Sequence, residues 1–543
     1  MLARILTVAA GLSICFTLTA QSFISSNLPI IIINTQGVEI PDDPKIGADM
    51  GIIYNGPGLR NSLTDPYNNY NGKAGIELRG KSSQSFPMKS YSIELRDAGG
   101  NSLDKSLLGM PKESDWVLYA PYTDKTLMRN FLAYTMSREL GNYASRCQYV
   151  ELMINNDYKG IYILEEKIKR GSGRVPVAKL TSSDIAGDDV TGGYIVKLDK
   201  KDPDEESWVS AYKPNGNSAR SVEFIYDYPK TSNIVQQQKD YIKRYVDSFE
   251  LALASNEFQD PDKGYRRFID MTSFIDYFII NEVSRNVDGY RLSSYFNKDK
   301  DSKGGKLKAG PVWDYDIAFR NADYCSGSNL TGWSYQFNTV CRDDSWLVPF
   351  WWDRFMLDSA FTSTLRCRWK DARLHSLSNQ RIMTLIDSVS TLLNEAQQRH
   401  FQRWPVLGQY IWPNPQPIPT TYAGEISALK NWISQRLSWI DNNIPNTGGC
   451  YDWPIGQPGT LRATIYPNPV VSGLAVEVVS KNDQKMQVRI TNMMGQLVYQ
   501  SRLDVRAGIH PISLNIPVIP GGVYFASFRA ESGEEITSRF VKQ

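Results

Sequence analysis

Histidine is nearly absent. The chain of 543 residues holds three, His375, His400 and His510, and none is near the acidic centres described below. A histidine-based zinc site or a Ser-His-Asp triad therefore finds no support. An excess of one charge is also missing: 60 Lys and Arg oppose 58 Asp and Glu, a formal net charge of +2. With no basic stripe interleaved with aromatics, nucleic acid is not an expected partner. Past the N-terminus no apolar run is long enough to cross a bilayer, and Leu28 to Ile33 is far too short. Six cysteines occur, with no close pair of the kind that builds a metal knuckle.

The first residues carry an export pattern. Arg4 supplies a charge, Ile5 to Leu18 an apolar core, and Ala20-Gln21 a cleavage point, so residues 1–20 are expected to be a signal peptide. A membrane anchor or a buried strand is the other reading of the same run. Cys15 would leave with the signal, and five cysteines remain. Cys325 and Cys341 close a loop rich in Gly, Ser and Asn and are expected to pair. Cys367 with Cys450 is a second candidate pair, and Cys147, inside an apolar strand pattern, is expected to be a buried thiol.

By length the chain should hold about two to four domains. Short strands over 28–60 predict a small sheet, and 21–74 reads as an N-terminal β-rich segment. Residues 75–96 read strand, loop, strand. The loop, KSSQSFP, offers hydroxyls and backbone N–H groups between Arg79 and Lys89, donors suited to phosphate oxygens. An ordinary solvated hairpin has the same letters. A helix capped by Asp124 or Thr126 should run to about Leu140. The strands QYVELMIN and GIYILEEKIK follow, joined by a turn at Asn156–Gly160.

The stretch from Asn286 to Arg320 organises the rest. A helix over MTSFIDYFIINEVSRN delivers the chain to Asp288 in N-V-D-G-Y. A predicted hairpin then leads to Asp314 and Asp316 in P-V-W-D-Y-D. A hairpin can bring the two acidic centres to one end of a cleft. A base or substrate-orienting carboxylate followed by a divalent-metal carboxylate is what phosphoryl transfer needs. D-x-D also occurs in surface turns. Further helices, a Pro-rich loop and a Gly/Pro-rich linker at 448–460 follow. Six or seven short strands over 461–543 then predict a small β-sandwich.

Together, RGKSSQSFPMKSY, ILEEKIK, NVDGY and PVWDYD resemble the CotH kinase family, the spore-coat protein-kinase-like group, over roughly residues 28–445. The resemblance implies an α+β fold, with an atypical protein-kinase-like domain over 75–447 followed by the small C-terminal β-sandwich. It also implies transfer of the γ-phosphate of ATP, with Mg²⁺ or Mn²⁺, to Ser or Thr of an extracellular or envelope protein. Asp288 falls on the catalytic aspartate and Asp314 on the metal-binding one, with Asp316 as helper. Arg79, Ser82, Ser83 and Lys89 fall in the phosphate region, Lys89 as the phosphate-contacting lysine, and Glu166 falls at the hinge to adenine.

The departures are the missing G-x-G-x-x-G, H-R-D and D-F-G, and Met88 in place of the first lysine of P-K-K-S-Y. Glu139 is the helix candidate to pair with Lys89. A non-catalytic scaffold or adhesive surface protein is the alternative reading. A paired-carboxylate glycoside hydrolase would leave the cationic loop without a role.

The C-terminal YPNPV, NMMGQLVY, GGVYF and SRFVKQ resemble the sorting domain of the Bacteroidetes type IX secretion system. That resemblance implies the secretion machinery as a partner, passage through the periplasm and a secreted or outer-surface location. A small adhesive or carbohydrate-binding β-domain is the other reading of those strands.

Overall fold

The structure, a computed structural model, describes residues 23–445 and, with short breaks, 462–542. The expected signal peptide, Cys15, Cys450 and the expected linker lie outside the described residues. The chain divides into two units, Met1–Thr447 and Gly448–Gln543.

The first unit begins with a closed seven-stranded barrel. Its strands are β1 (Ile30–Asn34), β2 (Ile46–Ile53), β3 (Tyr70–Arg79), β4 (Ser90–Arg96), β5 (Asp115–Tyr119), β6 (Cys147–Ile154) and β7 (Asp157–Glu166). The order is β1-β2-β3-β4-β5-β7-β6. Closure comes from a parallel pairing of β1 with β6, Ile30 opposite Glu151, while the other neighbours run antiparallel. Alternate residues fill the interior, among them Ile31, Ile33, Ile52, Ile76, Ile93, Leu118, Leu152, Tyr162 and Leu164. The opposite face of β5, β6 and β7 is also apolar, through Val117, Tyr149, Ile161 and Ile163, because helices cover it. A strand buried on both faces reads as a continuous apolar run. The expected separate front sheet over 28–60 is thus part of this barrel, and the expected boundary at 74 falls inside β3. A pairing between positions some 120 residues apart leaves no trace in local pattern.

A second sheet has the order β9-β10-β8-β11-β12, from β8 (Tyr194–Leu198), β9 (Ser207–Val209), β10 (Glu223–Tyr228), β11 (Ser294–Lys298) and β12 (Leu307–Ala309). The helices are α1 (Arg129–Glu139), α2 (Gln236–Ala254), α3 (Met271–Ser284), α4 (Trp351–Phe355), α5 (Ser359–Leu374), α6 (Asn379–Leu393), α7 (Ala396–Arg403) and α8 (Tyr422–Asn443). Helix α3 is the centre of this part. Every residue from Ser273 to Ser284 is buried, as expected of a helix apolar on nearly all sides. Asp270 caps it by accepting from Ser273 N at 3.0 Å. Phe274, Tyr277 and Phe278 pack on Trp352. Helix α1 starts later than the sequence suggests, yet Asp124 serves its N-terminus, accepting from Arg129 N at 2.8 Å.

Cys325 and Cys341 form the expected disulfide, Cys367 is also disulfide-bonded, and Cys147 is buried and free. No described helix is long and apolar enough to cross a membrane.

His400 on α7 is buried, and its Nδ1 accepts from Ile161 N at 3.1 Å. Burial holds its pKa down to about 3 from an ordinary 6.5. Between those values the unfolded chain binds the proton that the folded one refuses, so stability falls as pH drops, by about 1.4 kcal/mol per pH unit. His400→Gln, which keeps an acceptor, should flatten the dependence of the urea midpoint on pH between roughly pH 6 and 4. An unchanged slope would show that His400 is not held neutral.

Among the described residues the second unit has seven strands: β13 (Arg462–Tyr466), β14 (Leu474–Ser480), β15 (Gln484–Asn492), β16 (Leu497–Val505), β17 (Gly508–Leu514), β18 (Gly522–Ala530) and β19 (Glu535–Lys542). They form two antiparallel sheets, β13-β14-β17 and β16-β15-β18-β19. Val476 and Val478 from one sheet and Val488, Ile490, Phe528 and Phe540 from the other share a single core. The alternation that buries them is the β-sandwich pattern.

Candidate functional site

The chain between β12 and the loop at 320 is held from several sides. Trp313 stacks on Tyr134 of α1, with centroids 5.8 Å apart and planes 15° apart. The Tyr134 hydroxyl accepts from Asp314 N at 3.1 Å, and Asn130 Oδ1 accepts from Tyr315 N at 2.6 Å. The Tyr315 hydroxyl donates to Asn281 Oδ1 of α3 at 2.9 Å. These contacts hold Asp314 at φ +65°, a left-handed conformation that costs a non-glycine residue on the order of 1–3 kcal/mol. Strain of this kind persists only where its surroundings over-determine it.

Asp288 lies in the turn after α3. Asn286 Oδ1 accepts from Asp288 N at 3.1 Å. A Cβ at Gly289 would lie 2.3 Å from Asn281 Oδ1, so a larger residue there would have to displace the Asn281 side chain that accepts from Tyr315. The Asp288 carboxylate accepts from Arg291 Nη2 at 2.7 Å. The buried Arg291 guanidinium also reaches Asp344 and the Trp346 carbonyl, both at 3.1 Å, and lies over the Phe337 ring. A single cation thus ties Asp288 to the segment following the Cys325–Cys341 disulfide.

The structure brings Asp288, Asp314 and Asp316 together. Burial, then Asp288 and Asp199, raise the pKa of Asp314, while Arg79 and Lys200 oppose the rise. Burial, then Asp314, Asp124 and Asp288, raise that of Asp316. Asp199, just past β8, is a fourth carboxylate of the same field, its own pKa raised chiefly by burial. Carboxylates gathered this way repel one another unless a cation joins them.

The cationic loop faces them. Ser82–Ser85 form a 3₁₀ turn, and Gly80 at φ +97° leads into it; a Cβ there would meet the Ser83 hydroxyl at 2.0 Å. Ser82 Oγ accepts from Lys200 Nζ at 3.0 Å. Arg79 lies over the Trp313 ring, 4.9 Å from its centroid, and its Nη1 is buried with no hydrogen-bond partner. Lys89 is turned elsewhere: its ammonium donates to the Gln84 carbonyl within its own loop. Glu139, the candidate partner for Lys89, pairs instead with Arg381.

Strand parity separates the two acids that end β7. Glu166 shares the parity of Tyr162 and Leu164, which fill the barrel. It accepts from Arg146 N at 3.0 Å and pairs with Arg146 and Arg174. Glu165 shares the parity of Ile161 and Ile163, on the face toward the helices, where burial pushes its pKa up to about 8, with Arg79 opposing the rise and Asp314 and Asp316 adding to it. The acid of this strand on the side of the acidic cluster is therefore Glu165, and Glu166 is engaged with Arg146 and Arg174. No sequence signal decides between two adjacent acids; the parity of their strand does. Asp199 and Lys200 also escape sequence spacing, because the loop after β8 that carries them is far in sequence from Asp288 and Asp314, whereas Arg291 lies in the same turn as Asp288.

Among the described residues no group of three or more His, Cys, Asp or Glu side chains is arranged to enclose a metal ion. A small hard cation does not need such a cage: Mg²⁺ is commonly held by one or two carboxylates and completed by water and phosphate oxygens. Two or three mutually repelling aspartates near a half-buried guanidinium with one buried, unpartnered N–H group fit a cation and an anion bound together.

Fold and site define a mixed α/β protein with an acidic cluster beside the outer face of a barrel, joined to a separate β-sandwich. The chain belongs to the CotH kinase protein family, whose model matches residues 76–440; this is a group of atypical Ser/Thr kinases. Residues 464–543 match the secretion system C-terminal sorting domain, so the protein is secreted or displayed at the cell surface. No curated protein matches the sequence.

Deleting 461–543 should leave the protein in the periplasm of a host with this machinery, and fusing that segment to a secreted reporter should carry the reporter out. Normal release of the deletion protein without lysis would make the sandwich an accessory module.

Proposed function

We propose that the protein is a secreted, metal-dependent atypical protein kinase that transfers the γ-phosphate of ATP to Ser or Thr of an extracellular or envelope protein. The observation that carries the reading is the convergence of Asp288, Asp314 and Asp316 opposite Arg79 in a chain of this family. Asp314, helped by Asp316, would hold Mg²⁺ or Mn²⁺. When bound, the ion neutralises charge on the phosphates and on the transferring group. Arg79 offers a buried donor to phosphate oxygens, and Ser82 and Ser83 line the same loop. Asp288, oriented by Arg291, positions the substrate hydroxyl and accepts its proton as the new O–P bond forms and the bond to the ADP oxygen breaks. Lys89 is read as the residue that fixes the phosphate loop through the Gln84 carbonyl.

A non-catalytic scaffold is the second reading, favoured by one observation: Lys89 and Glu139 do not form an ion pair. Calorimetry separates the two. The kinase reading expects ATP binding that strengthens roughly tenfold or more on adding Mn²⁺. Folded protein that binds no nucleotide in either condition would establish the scaffold.

A further inference from the structure

We propose that Tyr324 and Trp412 form a shelf beside Asp288 on which the acceptor protein docks, and that the shelf selects a Ser or Thr flanked by a ring-bearing residue, proline or aromatic. The inference rests on the kinase reading above and names the class of segment that reaches Asp288.

The Pro-rich loop between α7 and α8 leaves large rings in solvent: Trp412 is 47% exposed and Tyr410 52%. Trp412 stacks on Tyr324, with centroids 5.7 Å apart and planes 17° apart, and the Tyr410 hydroxyl donates to Asp323 Oδ2 at 2.7 Å. The three rings are therefore neighbours. Single exposed apolar residues are ordinary, whereas a joined group of them marks an interaction surface.

The shelf is rigid before anything docks. Asn414 Nδ2 donates to the Thr123 carbonyl and to Asn321 Oδ1, both at 2.8 Å. Asp323 N donates to the Pro413 carbonyl at 2.9 Å, and Arg320 Nη2 to that of Pro417 at 2.7 Å. These bonds fasten the loop that carries Trp412 to the segment that carries Tyr324. Rings already held in place lose little entropy when a partner covers them.

The shelf adjoins the reacting centre. Tyr324 opens a turn in which its carbonyl accepts from Gly327 N at 2.9 Å. That turn packs on the residue before Asp288, for a Cβ at Gly327 would lie 2.4 Å from Val287 Cγ1. The Ser326 carbonyl accepts from Arg285 Nε at 2.8 Å. The Cys325–Cys341 disulfide joins the same turn to the segment whose Asp344 shares Arg291 with Asp288. In keeping with this placement, burial and then Asp288 raise the pKa of Tyr324, with Asp316 and Asp344 adding to the rise and Arg291 opposing it.

What covers this surface follows from the reaction. An acceptor whose hydroxyl reaches Asp288 brings its flanking residues over the Tyr324 turn. An exposed indole face takes a flat ring by stacking, and aromatic-lined surfaces bind extended proline-bearing segments. A Lys or Arg also seats on an indole. The carboxylates that would hold its charge are already engaged, Asp323 by Tyr410 and Asp344 by Arg291.

The test uses the full chain with Mn²⁺ and labelled ATP on synthetic peptides of one length. Each peptide has a single Ser, with Trp, Pro, Ala or Lys placed in turn at each flanking position. Wild type should give the best Trp or Pro peptide a KM roughly tenfold below that of its Ala counterpart, with kcat within about twofold. Trp412→Ala should erase the preference by raising KM for the ring-bearing peptides alone, and Trp412→Phe should restore part of it. A merely structural role for Trp412 would lower transfer to all peptides together and leave the preference unchanged.

If Trp412→Ala does not fold, Trp412→Phe must show a reduced preference with unchanged KM for the Ala peptide, and an equal change for both overturns the proposal. Equal KM for ring-bearing and Ala peptides in wild type, a Lys peptide preferred over both, or a preference that survives Trp412→Ala overturns the shelf while the kinase reading stands. Wild type that binds Mn²⁺–ATP in calorimetry yet transfers to no peptide also overturns the shelf, and wild type that binds no nucleotide overturns both.

Discussion

Asp314→Asn is expected to abolish phosphate transfer, by roughly 10³-fold, while leaving the metal-free protein at least as stable as wild type. The first part follows from the charge that the metal would neutralise. Such stabilisation is worth several kcal/mol, and each 1.36 kcal/mol is tenfold in rate. The second part follows from the electrostatics of the cleft. Burial, Asp288 and Asp199 all raise the pKa of Asp314. A carboxyl whose pKa is raised on folding holds its proton longer than in the unfolded chain, so stability is lost as pH rises through the folded value. At neutral pH without metal, ionised Asp314 therefore destabilises the fold, and the neutral amide relieves a repulsion on the order of 1 kcal/mol. Labelled γ-phosphate transfer and a thermal melt with chelator read the two effects separately. Unchanged transfer would remove Asp314 from the site. Lost transfer with a much lower melting temperature would mean that the residue serves folding.

Arg436→Ala is expected to cost about 3–5 kcal/mol of stability, because it breaks a buried ion pair and leaves one charge of it in the core. Arg436 of α8 and Glu282 of α3 are almost wholly buried, with Nη2 donating to Oε2 at 3.1 Å. Arg436 also donates to the carbonyls of Glu282, Leu330 and Gly332, at 2.8, 2.9 and 2.7 Å. Glu282 accepts from Ser334 N, Tyr335 N and the Tyr290 hydroxyl. Removing the guanidinium leaves the Glu282 carboxylate without its paired cation and takes a donor from three carbonyls, of which only that of Gly332 keeps a second side-chain donor, from Arg285. The double change Glu282→Leu with Arg436→Leu should recover part of the loss, since a buried pair can be replaced by apolar packing more cheaply than it can be broken. Urea denaturation of the single and double variants measures this. Equal loss in both would mean that the pair is net stabilising against an apolar replacement. Because α3 ends just before Asp288, Arg436→Ala should also lower phosphate transfer more steeply than it lowers the folded fraction.

The elements that carry Asp288 and Asp314 were legible because local pattern reports what local physics controls. An apolar helix ending at Arg285, a turn, and a strand–turn–strand leading to W-D-Y-D are decided by neighbours a few residues away. The disulfide between Cys325 and Cys341, the β-sandwich alternation and the hydroxyl-rich loop at Ser82 and Ser83 belong to the same category. So does the likeness to the family, which rests on short motifs.

What the tertiary structure alone decided depends on contacts between distant segments. Closure of the barrel pairs β1 with β6 and absorbs the strands that looked like a separate sheet. That closure decides which face of β7 meets the helices, and so puts Glu165 on the side of the acidic cluster and Glu166 with Arg146 and Arg174. Asp199 and Lys200 join the site because the loop after β8 is brought beside the turn that holds Asp288 and Arg291. The partners of Lys89 and Glu139 were settled in the same way, each by a carbonyl or guanidinium that folding brought within hydrogen-bond reach. A residue's type sets what it can bond to, and this was readable along the chain. Which groups it meets depends on strand register and helix packing, which are set by burial summed over the whole core.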